Sequence, residues 1–299
     1  MKHLIRCFLL LILPGSLMAC DLCNIYLGIN PHYNQNEIGI RYRYRHFDPH
    51  NQEAEPGLDG DHRDGEYYNT YELWGRFYPH PKIQLLVSLP FVHNMEVESA
   101  EKTIDVKALG DVIAIAHYQV LNTVNKDSAG LQQRIFIGGG FKAPTGTFNK
   151  LNALNELDPH IQAGSGSWDL ILSGAYLVKF GKAGITTDGN YRINSGNSNH
   201  FQFANRTNIT ANIFYQFHKK SLTFIPATGL YLEQAYKDKE AGEFILDSGG
   251  KSLFYSLSLE CYLKRMAISL SGQLPVYEDL YGEQPQNTPR LIAGVSYSF

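Results

Sequence analysis

The sequence predicts an all-β fold, a transmembrane antiparallel β-barrel of the outer-membrane kind with about twelve strands. Three observations carry that expectation. Apolar and polar residues alternate with period two in segment after segment, short connections alternate with long ones, and past residue 20 no stretch reaches the ~18 consecutive apolar residues of a membrane helix. Composition agrees: the 299 residues include 19 Tyr, 16 Phe and 27 Gly, and only 18% are charged. Aromatic side chains suit a pleated surface and glycines its turns. A net charge of -3 without a long Lys/Arg cluster excludes an electrostatic nucleic-acid binder.

Residues 1–19 read as a signal peptide. Lys2, His3 and Arg6 precede an apolar run, Cys7 to Leu13, that is too short to span a bilayer, and small residues from Gly15 to Ala19 prepare a cut. The mature chain is therefore expected in a Gram-negative bacterial envelope. Ordinary signal peptidase and a lipoprotein-type enzyme both fit at the bond before Cys20, since Leu17-Met18-Ala19-Cys20 approximates a lipobox.

Residues 20–35 follow as a periplasmic N-terminal segment carrying Cys20-Asp21-Leu22-Cys23. Such a C-x-x-C can close a disulfide, carry lipid on Cys20, or supply two ligands of a soft-metal site with His32 as a third. Disulfide or lipid ranks before metal, because two thiolates alone make a weak metal site. No cofactor is expected. Cys261, among leucines, behaves as a small hydrophobe.

Residues 36–299 make the barrel, with strands near 36–47, 67–79, 82–97, 108–121, 131–143, 167–180, 183–195, 204–217, 221–236, 251–263, 266–276 and 289–299. The last strand shows the pattern well, with Leu291, Ala293, Val295, Tyr297 and Phe299 on one face and Ile292, Gly294, Ser296 and Ser298 on the other. It recurs at Ile209, Ala211, Ile213 and Tyr215 against Asn208, Thr210 and Asn212. Connections after even strands are mostly short, such as His80-Pro81 and Lys264-Arg265. Those after odd strands, such as Asp48 to Glu66, Glu98 to Lys107 and Pro144 to Gly166, are mostly longer and polar. Short turns on the periplasmic rim and long loops outside the cell is the asymmetry of an outer-membrane barrel. Phe299 within the last strand has the form of a barrel-assembly signal.

Function is expected in the lumen. If Ile38, Ile40, Tyr42 and Tyr44 face lipid, Arg41, Arg43 and Arg45 face inward about 7 Å apart. Glu72 and Arg76 on the second strand answer them, and Arg134, Lys142, Asp188, Arg192, Glu233 and Glu260 add further charge. Such a wall either selects anionic solutes or fills a narrow barrel with paired charges, and a barrel of this size favours the filling network.

Four motifs occur in order: Leu89-Pro90-Phe91-Val92, Leu109-Gly110-Asp111-Val112, Gly138-Gly139-Gly140-Phe141-Lys142-Ala143-Pro144-Thr145-Gly146, and Gly164-Ser165-Gly166-Ser167-Trp168-Asp169. Their physical readings are bulges or strand ends at Pro90 and Pro144, sharp rim turns at Gly110-Asp111 and Gly164 to Gly166, and at Gly138 to Gly140 either relief of curvature, ranked first, or room for an inserted loop or a large neighbouring side chain. Together the set resembles the outer-membrane family named for the MetA pathway of phenol degradation, over roughly residue 36 to the C-terminus. That resemblance implies a barrel transporting small organic compounds, aromatic ones included, while the arginine wall points to anionic ones; the expected partners are outer-membrane lipid, the assembly machinery through Phe299 and the permeant, with no nucleic acid. The alternatives are a plugged structural or metal-related barrel and an outer-membrane hydrolase. The hydrolase is disfavoured because His93 and His117 stand in no recognisable Ser/His/Asn arrangement.

Overall fold

The computed structural model describes residues 34–48, 65–98, 101–124, 130–152 and 155–299. The signal peptide, Cys20, Cys23, His32 and loop residues 49–64 lie outside the described residues.

Twelve antiparallel strands close on themselves. They are β1 (Glu37–Asp48), β2 (Gly65–His80), β3 (Ile83–Glu98), β4 in two pieces (Glu101–Leu109 and Val112–Asn122), β5 (Leu131–Ala143), β6 (Asp169–Phe180), β7 (Ala183–Asn194), β8 (Arg206–Tyr215), β9 (Leu222–Ala235), β10 (Gly250–Leu263), β11 (Met266–Leu280) and β12 (Arg290–Ser298). Each pairs with its neighbour in sequence, and β1 also pairs with β12 in the register Ile38↔Tyr297 to Tyr44↔Leu291. Every predicted strand is present. Closure satisfies the backbone polar groups between strands, which hydrocarbon requires.

The period-two pattern sorts the faces as expected. Ile38, Ile40, Leu73, Val87, Leu170, Ile213, Leu257, Ile268 and Val295 are exposed on the outside, whereas Asn208, Thr210, Asn212, Ser256 and Ser296 are buried on the inside. An apolar exterior around a polar interior is the reverse of a soluble protein and suits a bilayer.

Two connections depart from the sequence reading. The stretch from Glu98 to Lys107, expected as a loop, is mostly strand: Glu101–Leu109 pairs with the outer end of β3, in the register Phe91↔Leu109 to Glu98↔Glu101. Alternation continues there through Ile104 and Val106, which are buried inside, but charged neighbours mask it in the sequence. The loop 144–166 turns inward. Its Ile161 and Ala163 pack on Phe47, Tyr68, Val92, Ile104 and Val106, all inner-face residues of β1 to β4. Two further loops join over the mouth, where Phe201–Gln202, Lys239–Glu240 and Glu243–Phe244 form a small three-stranded sheet.

Candidate functional site

Alternation on β1 carries Arg41, Arg43 and Arg45 inward, and all three are buried. Cross-strand pairing sets Arg41 opposite Glu72. The Arg41 guanidinium donates to Glu72 through Nε at 2.8 Å and Nη2 at 2.7 Å, and Arg43 Nε approaches the same oxygen at 3.8 Å. Ser88 Oγ donates to the other Glu72 oxygen. Arg76, one turn of the alternation lower, meets Glu37 at 3.4 Å, and Ser296 of β12 donates to Glu37 at 2.5 Å. Of the five predicted wall residues, Arg41 and Arg43 thus share Glu72, Arg76 turns to Glu37, and Arg45 lies on the same face over aromatic rings.

What sequence reading missed is the aromatic half of this wall. Trp74 lies between Arg41 and Arg76, whose guanidinium carbons stand 5.9 and 5.8 Å from its ring centroid. Arg45 lies over Tyr68 at 4.9 Å and Phe47 at 5.6 Å, Arg134 over Phe136 at 4.9 Å, and Arg290 over Phe254 at 4.0 Å. Guanidinium groups stack readily on rings because they are planar and weakly hydrated. The signal was available: Trp74 sits two residues from each of Glu72 and Arg76 and therefore shares their face. Arg290 is held by Glu233 through two 3.0 Å hydrogen bonds on the facing wall.

Cavities inside the described barrel are small. One of about 50 Å³ lies beside Arg41, Trp74, Arg76 and Glu260, and one of about 10 Å³ beside Arg43, Arg45 and Arg290. Another, of about 460 Å³, lies among the mouth loops at Asn197, His200 and Lys239.

The ordered motifs converge on one buried cluster. Lys142 Nζ is within 2.6 Å of Asp111 and 3.1 Å of Asp169, and it also donates to Ser165 Oγ and to the Ser167 carbonyl. Asp111 accepts from the amides of Gly146 and Ser165, both at 2.9 Å, so it ties the two ends of loop 144–166 together. Gly164 is needed for close approach rather than for a sharp turn: a Cβ there would lie 2.6 Å from Asp111 Oδ1, and its φ is not positive, unlike the +71° of Gly166. Pro90 faces the break in β4, where the Gly110 amide donates to its carbonyl at 2.8 Å, so its missing N–H falls at an irregularity.

The middle of the loop is pinned separately. Asn94 Nδ2 donates to the Ile161 and Gln162 carbonyls at 3.1 and 3.3 Å. His160 stands edge-on to Phe201 and Phe203 and lies 3.3 Å from Asp238. Burial outweighs the Asp238 carboxylate and, with help from Arg206, brings the His160 pKa down to about 4. Burial raises the Asp158 pKa to about 7, Glu96 adding to the shift and backbone amides of His160 and Ile161 opposing it.

His117 makes a contact that sequence spacing did not show. Its ring lies 3.0 Å from Ser173 Oγ and 3.3 Å from Gln84 Oε1. Register explains it: His117 pairs with Gly138, and Gly138 pairs with Ser173. The imidazole crosses the bare glycine to reach the strand beyond, so Gly138 admits a large neighbour instead of only relieving curvature. The group beside the ring is the Gln84 amide rather than a carboxylate. His93 instead meets Asp105 at 3.0 Å.

No family model matches the chain, and no curated protein matches it. Solved structures do. An outer membrane channel, COG4313, from Pseudomonas putida F1 superposes with a TM-score of 0.65 at 15% identity, covering 91% of this chain and 100% of that one. The beta domain of the Bordetella autotransporter BrkA superposes with a TM-score of 0.50 at 10% identity, covering 89% and 100%. The fold is that of a bacterial outer-membrane β-barrel, and the apolar exterior places the chain in that membrane.

Proposed function

We propose that the chain is an outer-membrane channel for small organic solutes, planar and anionic ones foremost, which travel along the file of guanidinium groups and aromatic rings inside the barrel. The observation that carries this reading is the approach of both Arg41 and Arg76 to within 6 Å of the Trp74 ring beside a small cavity. A ring face and a bidentate cation recognise the two ends of an aromatic carboxylate. The resemblance to the MetA-pathway family and the fold shared with a channel support transport over hydrolysis. Loop 144–166, whose Ile161 and Ala163 pack on the inner face, would be the element that gates such a path.

A second reading has its own observation. Glu72 and Glu37 already neutralise Arg41 and Arg76, so the network also serves as a fixed filling. Single-channel recording in a planar bilayer separates the two. A small, steady conductance that benzoate blocks supports the channel; silence under all voltages supports the filled barrel.

A further inference from the structure

The rim that carries the short turns is basic at every described turn. Lys82 follows β2, Lys182 follows Gly181, Lys219 and Lys220 follow β8, and Lys264-Arg265 joins β10 to β11, with no Asp or Glu in any of these turns. The opposite rim is mixed, with Glu240, Glu243, Asp247 and Glu283 in its loops and Glu278 and Asp279 at the end of β11, beside Lys150, Lys237, Lys239 and Lys251. A basic periplasmic rim is not required by the fold, and backbone geometry works against it. Lys220 and Lys264 hold φ of +54° and +55°, a region that glycine or asparagine occupies at less cost, and Gly181 takes the matching +58° at the neighbouring turn. Two turns thus keep a lysine where a neutral residue would fold better.

The two turns are adjacent. Lys219 pairs with Leu222, Leu222 with Leu263, and Leu263 with Met266, so about 10 Å, two strand spacings, separates their centres. No side-chain carboxylate lies within ion-pair distance of Lys219, Lys220, Lys264 or Arg265 among the described residues. Immediately above them on the lipid face stand Phe217, Leu263, Met266 and Tyr297, all exposed, and Arg265 donates to the Tyr297 hydroxyl at 3.3 Å. An apolar ledge ending in four exposed cations has the layout of a phospholipid: acyl chains along the wall, phosphate at the turn.

We infer that Lys219, Lys220, Lys264 and Arg265 form a binding site for the phosphate headgroup of an anionic phospholipid in the periplasmic leaflet. The inference rests on the barrel lying in a bilayer with its short turns in the periplasm, and not on its being a channel. Charge complementarity and continuity with the lipid-facing wall both select a lipid over a soluble ligand.

The test uses the full chain refolded into phosphatidylcholine vesicles doped with phosphatidylglycerol, with co-purifying lipid measured by native mass spectrometry. Each cation near an anionic headgroup is worth roughly a fivefold factor, so phosphatidylglycerol should be enriched at least tenfold over its share of the vesicle. The quadruple variant K219Q/K220Q/K264Q/R265Q should bring enrichment close to one, while Lys182→Gln, outside the site, keeps it. Should the quadruple variant fail to reach its heat-resistant form, the pairs K219Q/K220Q and K264Q/R265Q carry the comparison, each removing most of the enrichment. Equal retention of the two lipids by the wild type, or undiminished enrichment in the variants, overturns the site. So does binding of polyglutamate through these cations without lipid preference, which would assign the rim to an acidic protein. A barrel that conducts no current yet enriches phosphatidylglycerol leaves the lipid site standing and removes only the channel.

Discussion

Docking of loop 144–166 on the inner wall should respond to pH through two groups with opposite sign. Asp158 takes up a proton as the loop docks, because burial, with Glu96 adding to it, raises its pKa from 3.8 to about 7. His160 releases one, because its pKa falls from 6.5 to about 4. At roughly 1.4 kcal/mol per unit, a folded pKa near 7 makes docking progressively weaker from about pH 4 to 7, by about 4 kcal/mol in all. The histidine makes docking progressively stronger over nearly the same interval, by about 3 kcal/mol. The wild-type loop should therefore hold nearly constant affinity for its seat, and each single variant should reveal the other group. Asp158→Asn leaves a loop that tightens as pH rises from about 4 to 6.5; His160→Gln leaves one that loosens from about 4 to 7. The readout is amide hydrogen exchange at Gly146 and Ser165, corrected for intrinsic rates, since both amides donate to Asp111 of the barrel wall when the loop is seated. Two single variants with the same pH slope, or a wild type steeper than either, would refute the compensation.

Four further outcomes follow from the same contacts. Arg43→Gln should lower anion preference in reversal-potential measurements with the heat-resistant band intact if the arginines select, or lower barrel stability without a selectivity change if they fill; neither effect would leave β1 as scaffold. Lys142→Met strands Asp111 and Asp169 in a buried site, and chemical unfolding in detergent should register a loss of roughly 3–5 kcal/mol. Gly138→Ala would drive a methyl into the Ala116 carbonyl and the His117 backbone, costing roughly 1–3 kcal/mol and breaking the His117–Ser173 hydrogen bond. Intact mass of the mature protein should show either two hydrogens lost between Cys20 and Cys23 or a lipid-sized increment on Cys20; two free thiols with bound copper or zinc would reverse that order.

Strand placement was legible because lipid and lumen impose opposite polarity on successive residues, so Leu291 to Phe299 or Asn208 to Tyr215 read directly as a two-faced wall. Arg41, Arg43 and Arg45 were legible for the same reason, since a guanidinium on the lipid side costs roughly 2–4 kcal/mol at mid-bilayer. The inward turn of loop 144–166 was not. Its anchors, Asp111, Lys142 and Asn94, come from three strands, and only the barrel's curvature brings them to one place. The bridge from His117 to Ser173 escaped for a related reason, being a contact across an intervening strand rather than along a motif. The pairing of Arg76 with Glu37 instead of Glu72 needed the register, which alternation alone leaves free by multiples of two.

The seam between β1 and β12 has a consequence for how the molecule is made. Ser296 donates to Glu37 across 259 residues of sequence, and the Phe299 amide donates to the Asn36 carbonyl at 2.9 Å. Until the final strand emerges, β1 presents an unsatisfied edge that can capture any extended chain, and no partial product is free of such an edge. Contacts this distant in sequence also slow the search. Productive assembly must therefore wait for the last residues to be delivered, and truncation of β12 should yield an aggregation-prone polypeptide rather than a smaller, leakier pore.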